Sequence, residues 1–230
     1  MLWTFPPKNY SKRFVPRECG NLYQINGHYV RAIEAAHWNG SRFVTGYTTE
    51  QAFALAQEYG RTLTKLAEYG ILLPEYTILL TGKESGGEAR KIIQLAAKEV
   101  EGKILEDVLM GPQDEEFHAG IAILLVLCSN LLSYYSSCYL SSQPICTDIA
   151  STFQYILHEK QAVLVDIDPR TVSLEHEGPM RYSNALVFEL EVLLENIIFV
   201  KDNILEPDLK LSAESLEKTV REFIWKVKQV

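Results

Sequence analysis

Two Asn-Gly dipeptides near the N-terminus constrain the fold of this chain more than any other feature. Asn26-Gly27 and Asn39-Gly40 each separate two strand-like runs. Both central positions of a type I′ hairpin turn need positive φ, which asparagine and glycine adopt most readily. The runs Asn21–Ile25, His28–Trp38 and Arg42–Tyr47 are therefore predicted to form a three-stranded antiparallel meander.

The spacing of apolar residues changes from a strand period to a helical one directly after these runs. Thr49 is the predicted N-cap of a long helix, and Gly70 is suited to end it. Tyr76–Leu80 and Ile92–Ala97 are predicted as two further strands, separated by a polar loop over Gly82–Gly87. One helix covers only one face of such a sheet, so another layer must cover the other face.

The second half of the chain is predicted to be mainly helical. Asp114 can cap a helix that is apolar nearly all round, which places this helix at the centre of a helical lobe. The later predicted elements are two short strands, Phe153–Leu157 and Ala162–Val165, and two helices, Asn184–Ile204 and Ser212–Lys228, the last one capped by Ser212.

Composition narrows the class of protein. The chain has 230 residues, of which 47% are hydrophobic and 23% charged, as in an ordinary globular protein. Its net charge of −8 argues against binding to nucleic acid or to an anionic membrane. The apolar run at Ile121–Cys128 is shorter than the roughly 20 residues that span a bilayer. Four scattered cysteines favour a reduced, cytoplasmic protein.

Several common catalytic motifs are missing from the sequence. It contains no G-x-S-x-G elbow, no H-E-x-x-H helix and no G-x-x-x-x-G-K-[ST] phosphate loop. The five histidines are scattered, and none pairs with another at the spacing of zinc ligands. Serine hydrolase, zinc protease and P-loop chemistry are therefore not expected.

Three short segments remain that can carry chemistry. The connector Leu95–Leu105 passes from a strand through Gly102 into a helix. This pattern is typical of a segment that links two lobes, and equally of an ordinary strand-to-helix loop. Asp148 follows the apolar helix and can orient or deprotonate a hydroxyl, or simply close a turn. Asp166 and Asp168 follow an apolar strand, and their side chains can point to the same side of it. They can bind Mg²⁺ there, or they simply form a turn before a proline.

The order of these elements resembles the protein kinase fold. A strand meander, a helix, two strands, a connector, an apolar helix, an Asp-bearing loop, a hairpin and a second Asp-bearing segment follow one another as in that family. The likeness is greatest to the branch typified by aminoglycoside phosphotransferases, and it covers roughly residues 20–200. The resemblance implies an α+β, two-lobed protein, with a sheet lobe that holds one long helix over residues 1–102 and a mainly helical lobe over residues 103–230.

The resemblance assigns roles on the nucleotide side of a site. Lys98 and Val100 would offer the backbone groups of a hinge that bonds adenine. Glu58 lies where the family has a helix glutamate that pairs with a lysine on the third strand. Residues 13–64 contain no lysine, and Arg42 is the basic residue that opens the third strand. Because arginine does not simply replace lysine, the grip on phosphate is expected to be weakened.

The resemblance also assigns roles on the catalytic side. Asp148 matches the family's catalytic base, although Cys146 stands where histidine is usual. Gln154 is the nearest match to the metal ligand that follows the base. Asp166 matches the metal-binding aspartate, and Asp168, in place of a glycine, would be a second ligand or a surface residue. ATP and Mg²⁺ are the cofactors that these matches imply.

Three functions remain open at this point. The chain is a kinase-like protein with impaired nucleotide use, such as a pseudokinase, or an active phosphotransferase on a small molecule or a protein. It is otherwise a non-enzymatic α+β interaction or regulatory domain that binds a protein partner and has only the layout of a kinase.

Overall fold

A computed structural model describes most of the chain and shows an α+β protein with small antiparallel sheets, which confirms the predicted class. The chain divides into two compact units, Met1–Arg61 with Pro74–Glu99, and Thr62–Leu73 with Val100–Val230. The residues that the structure describes are 22–25, 27–33, 36–38, 43–85, 87–165, 171–172 and 174–229.

Two antiparallel strand pairs open the first unit. Strand β1 (Leu22–Ile25) pairs with β2 (His28–Ile33), and Gly27 has a φ of 73° at the turn between them, as the first Asn-Gly dipeptide predicts. Strand β3 (Ala36–Trp38) pairs with β4 (Phe43–Thr45) in a separate sheet. The second dipeptide, Asn39-Gly40, lies outside the described residues.

The prediction of a single meander is therefore wrong. The run His28–Trp38 is divided between two sheets, because β2 finds its second neighbour in a strand about 65 residues further along the chain. That strand, β6 (Glu88–Lys98), pairs with β2 from His28 opposite Lys98 to Ile33 opposite Ile93. Local turn signals could not reveal this long-range partner.

The N-cap of helix α1 (Thr49–Glu68) is Thr48, one residue before the predicted cap Thr49. The Thr48 hydroxyl accepts from the Gln51 N–H at 3.2 Å, and the Gln51 side-chain oxygen accepts from the Thr48 N–H at 3.1 Å. This reciprocal capping box needs glutamine three residues after the cap, and only Thr48 has one.

Gly70 ends α1 as predicted. Its φ of 75° is left-handed, and the N–H of Ile71 donates to the Leu66 carbonyl at 3.1 Å. This bond satisfies a carbonyl that the helix end would otherwise leave unpaired. A side chain on residue 70 would also lie 2.9 Å from the Asn130 amide, which would have to shift, so the backbone conformation is the main reason for glycine here.

A long hairpin completes the main sheet of the first unit, whose order is β1-β2-β6-β5. Strand β5 (Tyr76–Ser85) pairs with β6 along its whole length, from Tyr76 opposite Ala97 to Ser85 opposite Glu88. The predicted loop over Gly82–Gly87 is too long, because β5 continues through Gly82 to Ser85 before the chain turns. The continuous ladder outweighs the low strand propensity of its glycine and polar residues.

The core of this unit lies between α1 and one face of the sheet. Ala52 and Tyr59 of α1 are buried against Ile93 of β6. Apolar side chains that are partly buried surround them, including Ile78 and Leu80 of β5. Residues two apart on a strand share a face, so Ile78 and Leu80 lie on the side of β5 that faces α1.

The second unit is mainly helical and carries two small antiparallel sheets, of order β10-β9-β7 and β11-β8. Helix α4 turns at Gly178, where φ is 79°. The elements are β7 (Lys103–Ile104), α2 (Leu105–Leu109), α3 (Glu115–Leu140), β8 (Ile145–Cys146), a 3-10 turn (Thr152–Gln154), β9 (Tyr155–His158), β10 (Gln161–Leu164), β11 (Thr171–Val172), α4 (Leu174–Asn203) and α5 (Pro207–Val227).

The predicted ends of these helices are partly right. Asp114 caps α3 as predicted, with its carboxylate accepting from the Phe117 N–H at 3.0 Å. The prediction of Ser212 as an N-cap is wrong, because Ser212 lies inside α5 and its hydroxyl donates to the Asp208 carbonyl at 3.0 Å. Helix α5 begins instead at Pro207, whose fixed φ and missing N–H suit a first helical position. Helix α4 begins at Leu174, ahead of the predicted Asn184.

Helix α3 is the central helix of this unit and is buried on most of its circumference. Residues such as Leu124, Cys128 and Leu131 are buried, whereas Val126 is 61% exposed on the remaining side. Among the described helices, α3 alone is long and apolar enough to cross a membrane, and 56% of its most apolar stretch is buried within the protein. A core helix meets the same length and composition criterion, so the absence of a membrane contact remains a prediction.

Candidate functional site

The loop between β8 and β9 presents Asp148 to solvent in an unusual backbone conformation. Asp148 is exposed and has a φ of 63°, in the left-handed region that few residues other than glycine, asparagine and aspartate adopt. Backbone strain of this kind costs roughly 1–3 kcal/mol and persists only where the surroundings hold it in place. The neighbouring side chains therefore determine whether this loop is rigid.

A buried carboxylate, Glu189 of α4, holds the loop from below. Only 1% of Glu189 is exposed. One of its oxygens accepts from the Asp148 N–H at 2.5 Å, and the other accepts from the Tyr135 hydroxyl at 2.7 Å and the Ala150 N–H at 3.3 Å. Charge-assisted bonds are stronger than neutral ones, so Glu189 is the main anchor of the left-handed turn.

Opposing effects act on the protonation of Glu189. Burial raises the pKa of its carboxyl above the ordinary value, and the nearby charge of Asp148 acts in the same direction. The hydrogen bonds from the Asp148 N–H, the Tyr135 hydroxyl and the Ala150 N–H lower the pKa, but burial prevails. The charged form of this buried carboxyl is therefore stabilised by the three hydrogen-bond donors that face it.

Further buried side chains fix the rest of the loop. The Tyr155 hydroxyl donates to the Ile149 carbonyl at 2.7 Å, and the Asn196 amide donates to the Ala150 carbonyl at 2.8 Å. Burial raises the pKa of Tyr155 well above its ordinary value, so this hydroxyl stays a neutral donor. Donors from β9 and α4 thus satisfy the two backbone carbonyls that directly follow Asp148, which makes the loop a rigid platform.

Gln154 joins the platform from the 3-10 turn. Its side-chain nitrogen donates to the Asp148 carboxylate at 3.1 Å, and only 2% of the residue is exposed. Its backbone carbonyl accepts from the N–H of Val165, which directly precedes Asp166 in the sequence, at 2.9 Å. The structure therefore brings together two of the residues that were predicted to form a site, Asp148 and Gln154.

The amide oxygen of Gln154 has no hydrogen-bond partner in the described part of the chain, although it is buried. The reverse orientation of the amide would set this oxygen against the Asp148 carboxylate, so the nitrogen belongs on that side. A buried acceptor without a donor costs roughly 1–3 kcal/mol. This oxygen has the chemistry of a ligand for a hard cation such as Mg²⁺, as does the adjacent carboxylate.

The other residues predicted for the catalytic side, Asp166 and Asp168, lie outside the described residues, as does Arg42. No cluster of three or more histidine, cysteine, aspartate or glutamate side chains that could hold a metal occurs within the ranges that the structure describes. The roles of these three residues therefore stay predictions.

Three residues predicted for the nucleotide side are described. The Lys98 N–H donates to the Glu75 carbonyl at 2.7 Å, so the sheet already uses this donor. The backbone N–H and carbonyl of Val100 have no hydrogen-bond partner within the described ranges. Glu58 is half-buried on α1. Of the two predicted hinge positions, Val100 is the better equipped to offer backbone groups to a ligand.

The connector continues past Val100 in close contact with β9. The carbonyl of Glu101 lies 2.7 Å from the Nδ1 of His158. Gly102 has a φ of 150°, and a Cβ built on it would lie 2.2 Å from the Leu157 carbonyl oxygen. Only glycine allows the two backbones to approach so closely.

We predict that Gly102→Ala destabilises the protein by about 2 kcal/mol or more, because the added carbon collides with backbone that cannot move freely. Chemical denaturation of both proteins measures the difference. Gly82→Ala is the matched control, since no atom lies within 4 Å of a Cβ there and the φ of Gly82 lies outside the left-handed region. Equal stabilities for the two variants would contradict the close approach.

An open depression of about 420 Å³ lies beside the connector in the second unit. Its lining includes Asp107, Asp114 and Glu116, and the single amine there, Lys103, pairs with Glu116 at 2.5 Å. Three carboxylates against one neutralised amine repel phosphate. This depression is therefore a poor site for the phosphates of a nucleotide.

Sequence reasoning singled out Asp148 and Gln154 but not Glu189. A signal for it exists: Leu186, Leu190 and Leu193 are buried at helical spacing, and Glu189 shares their face of α4. A charged residue on an otherwise apolar helical face needs buried partners. Its partners, however, are backbone groups of a distant loop, which no local pattern identifies.

No family model matches this chain, and no curated protein matches it significantly.

Proposed function

We propose that this chain is a kinase-like protein of two lobes that carries out, as an atypical enzyme, ATP- and Mg²⁺-dependent phosphoryl transfer. The observation that carries the proposal is the Asp148 platform: an exposed carboxylate, held in a left-handed turn by Glu189 and contacted by Gln154 at 3.1 Å. An immobile carboxylate that solvent can reach suits the positioning of a hydroxyl nucleophile.

In this proposal Asp148 accepts a hydrogen bond from the acceptor hydroxyl and takes its proton as phosphoryl transfer proceeds. Gln154 orients the carboxylate through its amide nitrogen and offers its free oxygen to a cation. Asp166 and Asp168 complete the cation site by the resemblance to kinases. Bound Mg²⁺ would neutralise negative charge on the phosphate oxygens.

The weak point of the proposed enzyme is its hold on nucleotide phosphates. Residues 13–64 contain no lysine, whereas active kinases use one on the third strand to grip them. Val100 can offer backbone groups to adenine, but Arg42 is the basic residue in the predicted phosphate region. A low affinity for ATP follows, and a pseudokinase is the outcome if binding occurs without transfer.

Thermal stabilisation by ATP with Mg²⁺ tests the proposal. A ligand at about 100 times its dissociation constant adds roughly 2.7 kcal/mol to the free energy of unfolding. We expect a Tm increase at millimolar ATP that disappears when EDTA removes the cation. In Gln154→Leu, which keeps the volume but loses both polar atoms, the Mg²⁺-dependent part of the increase should shrink.

The outcomes separate the three functions. Stabilisation together with transfer of phosphate supports an active enzyme, and stabilisation without transfer identifies a pseudokinase. No change in Tm at millimolar ATP with either Mg²⁺ or Mn²⁺ contradicts nucleotide binding and leaves the non-enzymatic interaction domain. Lys210→Leu, which removes an exposed amine of α5, is a control that should respond to ATP as the natural protein does.

A further inference from the structure

Strand β5 forms one edge of the four-stranded sheet in the first unit. The Lys98 N–H donates to the Glu75 carbonyl at 2.7 Å, which fixes the alternation of the ladder. Odd-numbered residues of β5 therefore bond to β6, and the N–H and carbonyl groups of Tyr76, Ile78, Leu80 and Gly82 point outward. No strand pairs with this outer edge among the residues that the structure describes.

Within the ranges that the structure describes, the edge lacks the devices that usually protect exposed strands. It is ten residues long, whereas protected edges are commonly short. Its central stretch, Thr77–Gly82, contains neither a charged residue nor a proline. Thr77 and Gly82 are exposed and Leu79 is half-buried. An unprotected apolar edge of this length is a template for another strand.

We propose that β5 pairs with β5 of a second copy of this chain, antiparallel, about a two-fold axis at Leu79. This axis sets Ile78 opposite Leu80 and Tyr76 opposite Gly82 as the hydrogen-bonded pairs. All four of these residues already have their backbone groups directed outward, so the ladder forms without disturbing β6. The two main sheets then join into one sheet of eight strands.

The residues of β5 are complementary to themselves in this register. Ile78 lies opposite Leu80 of the second copy, and the symmetry makes this apolar match twice. Thr77 lies opposite Thr81, and a tyrosine covers the edge glycine, both favourable cross-strand neighbours. Moving the axis to Leu80 would set Ile78 opposite Gly82 and Leu79 opposite Thr81, and both matches would be lost. This self-complementarity favours a second copy over an unrelated peptide.

Disulfide trapping tests both the contact and its register in the full-length chain. In a Cys19→Ser background, Leu79→Cys places two thiols at a non-hydrogen-bonded pair, where Cα atoms are about 4.5 Å apart and a disulfide fits. We expect a covalent dimer on mild oxidation. Thr77→Cys is the matched control: its two copies would be about 13 Å apart and should stay monomeric. Trapping through Thr77→Cys, or none through Leu79→Cys, overturns the proposal.

Charge substitution tests the same contact without oxidation. Leu79→Lys and Leu79→Glu each set like charges opposite one another and should weaken the dimer by at least about tenfold in sedimentation. An equimolar mixture should restore it. Gly82→Pro removes an outward N–H, whereas Gly82→Ala keeps it, so only the proline variant should lower dimer formation. A monomer at all concentrations for the natural chain, or no rescue by mixing, contradicts the pairing.

Discussion

Replacing Glu189 with alanine is expected to lower the free energy of unfolding by about 3 kcal/mol or more, because each buried donor left without an acceptor costs roughly 1–3 kcal/mol. The substitution leaves the Asp148 N–H, the Ala150 N–H and the Tyr135 hydroxyl without their acceptor. It also opens a cavity beneath the loop, which adds to the cost. Denaturant unfolding followed by circular dichroism measures the loss.

Glu191→Ala is the control for this substitution. Glu191 lies one half-turn further along α4 and pairs with Lys228 at 2.8 Å, but both side chains are about half exposed. Surface ion pairs contribute roughly 0–1 kcal/mol, so this variant should be nearly as stable as the natural protein. A similar loss in both variants would contradict the role of Glu189 as the anchor of the Asp148 loop.

The pH dependence of stability provides a second measurement on Glu189. Its pKa is raised in the folded protein, so the folded state binds the proton more tightly than the unfolded state does. The contribution of this group is therefore fully present below the unfolded pKa and is lost as the pH rises through the folded pKa. Glu189→Gln, which does not titrate, should lack this decline, and an identical pH profile would contradict the assignment.

Asp148→Asn is expected to reduce the proposed phosphoryl transfer by about 10²–10⁴-fold, the contribution of a general base. Asparagine cannot take up the proton of the acceptor hydroxyl. It does adopt the left-handed conformation readily, and its oxygen can still accept from the Gln154 amide, so the loop should keep its shape. Transfer of labelled phosphate from ATP measures the loss, and unfolding experiments should show little change in stability.

A matched variant tests whether the loss is specific to the site. Asp202→Asn changes an exposed aspartate at the end of α4 and removes the same charge. It should leave both transfer and nucleotide binding unchanged. Asp148→Asn that transfers phosphate at the natural rate would rule out Asp148 as the base, whereas loss of ATP-induced stabilisation in that variant would indicate a role in binding.

Features that depend on a few neighbouring residues were predictable from the sequence. Gly70 ends α1 and Asp114 caps α3, because each needs only local backbone geometry and one nearby donor or acceptor. The hairpin of β9 and β10 was also predicted, and the structure turns it through Glu159 and Lys160, both at positive φ. The misplaced cap at Thr49 is a local error, where the neighbouring Thr48 forms the capping box. The cap at Ser212 is wrong because α5 already begins at Pro207.

Features that depend on distant residues were not predictable in this way. The sequence indicated that Asp148 and Gln154 belong to one loop region, but their contact depends on the shape of that loop. Only the tertiary structure showed that Glu189 supplies the acceptor for the Asp148 turn, 41 residues along the chain. Likewise, β6 decides the sheet to which β2 belongs. The sequence by itself determined turns, caps and an α+β class, because those follow from neighbouring residues. The packing of α4 decided the geometry of the Asp148 loop, and the pairing of β6 decided the composition of the sheet. Both depend on the whole chain, because buried polar groups and strand edges bond to whichever partner the tertiary structure brings near them.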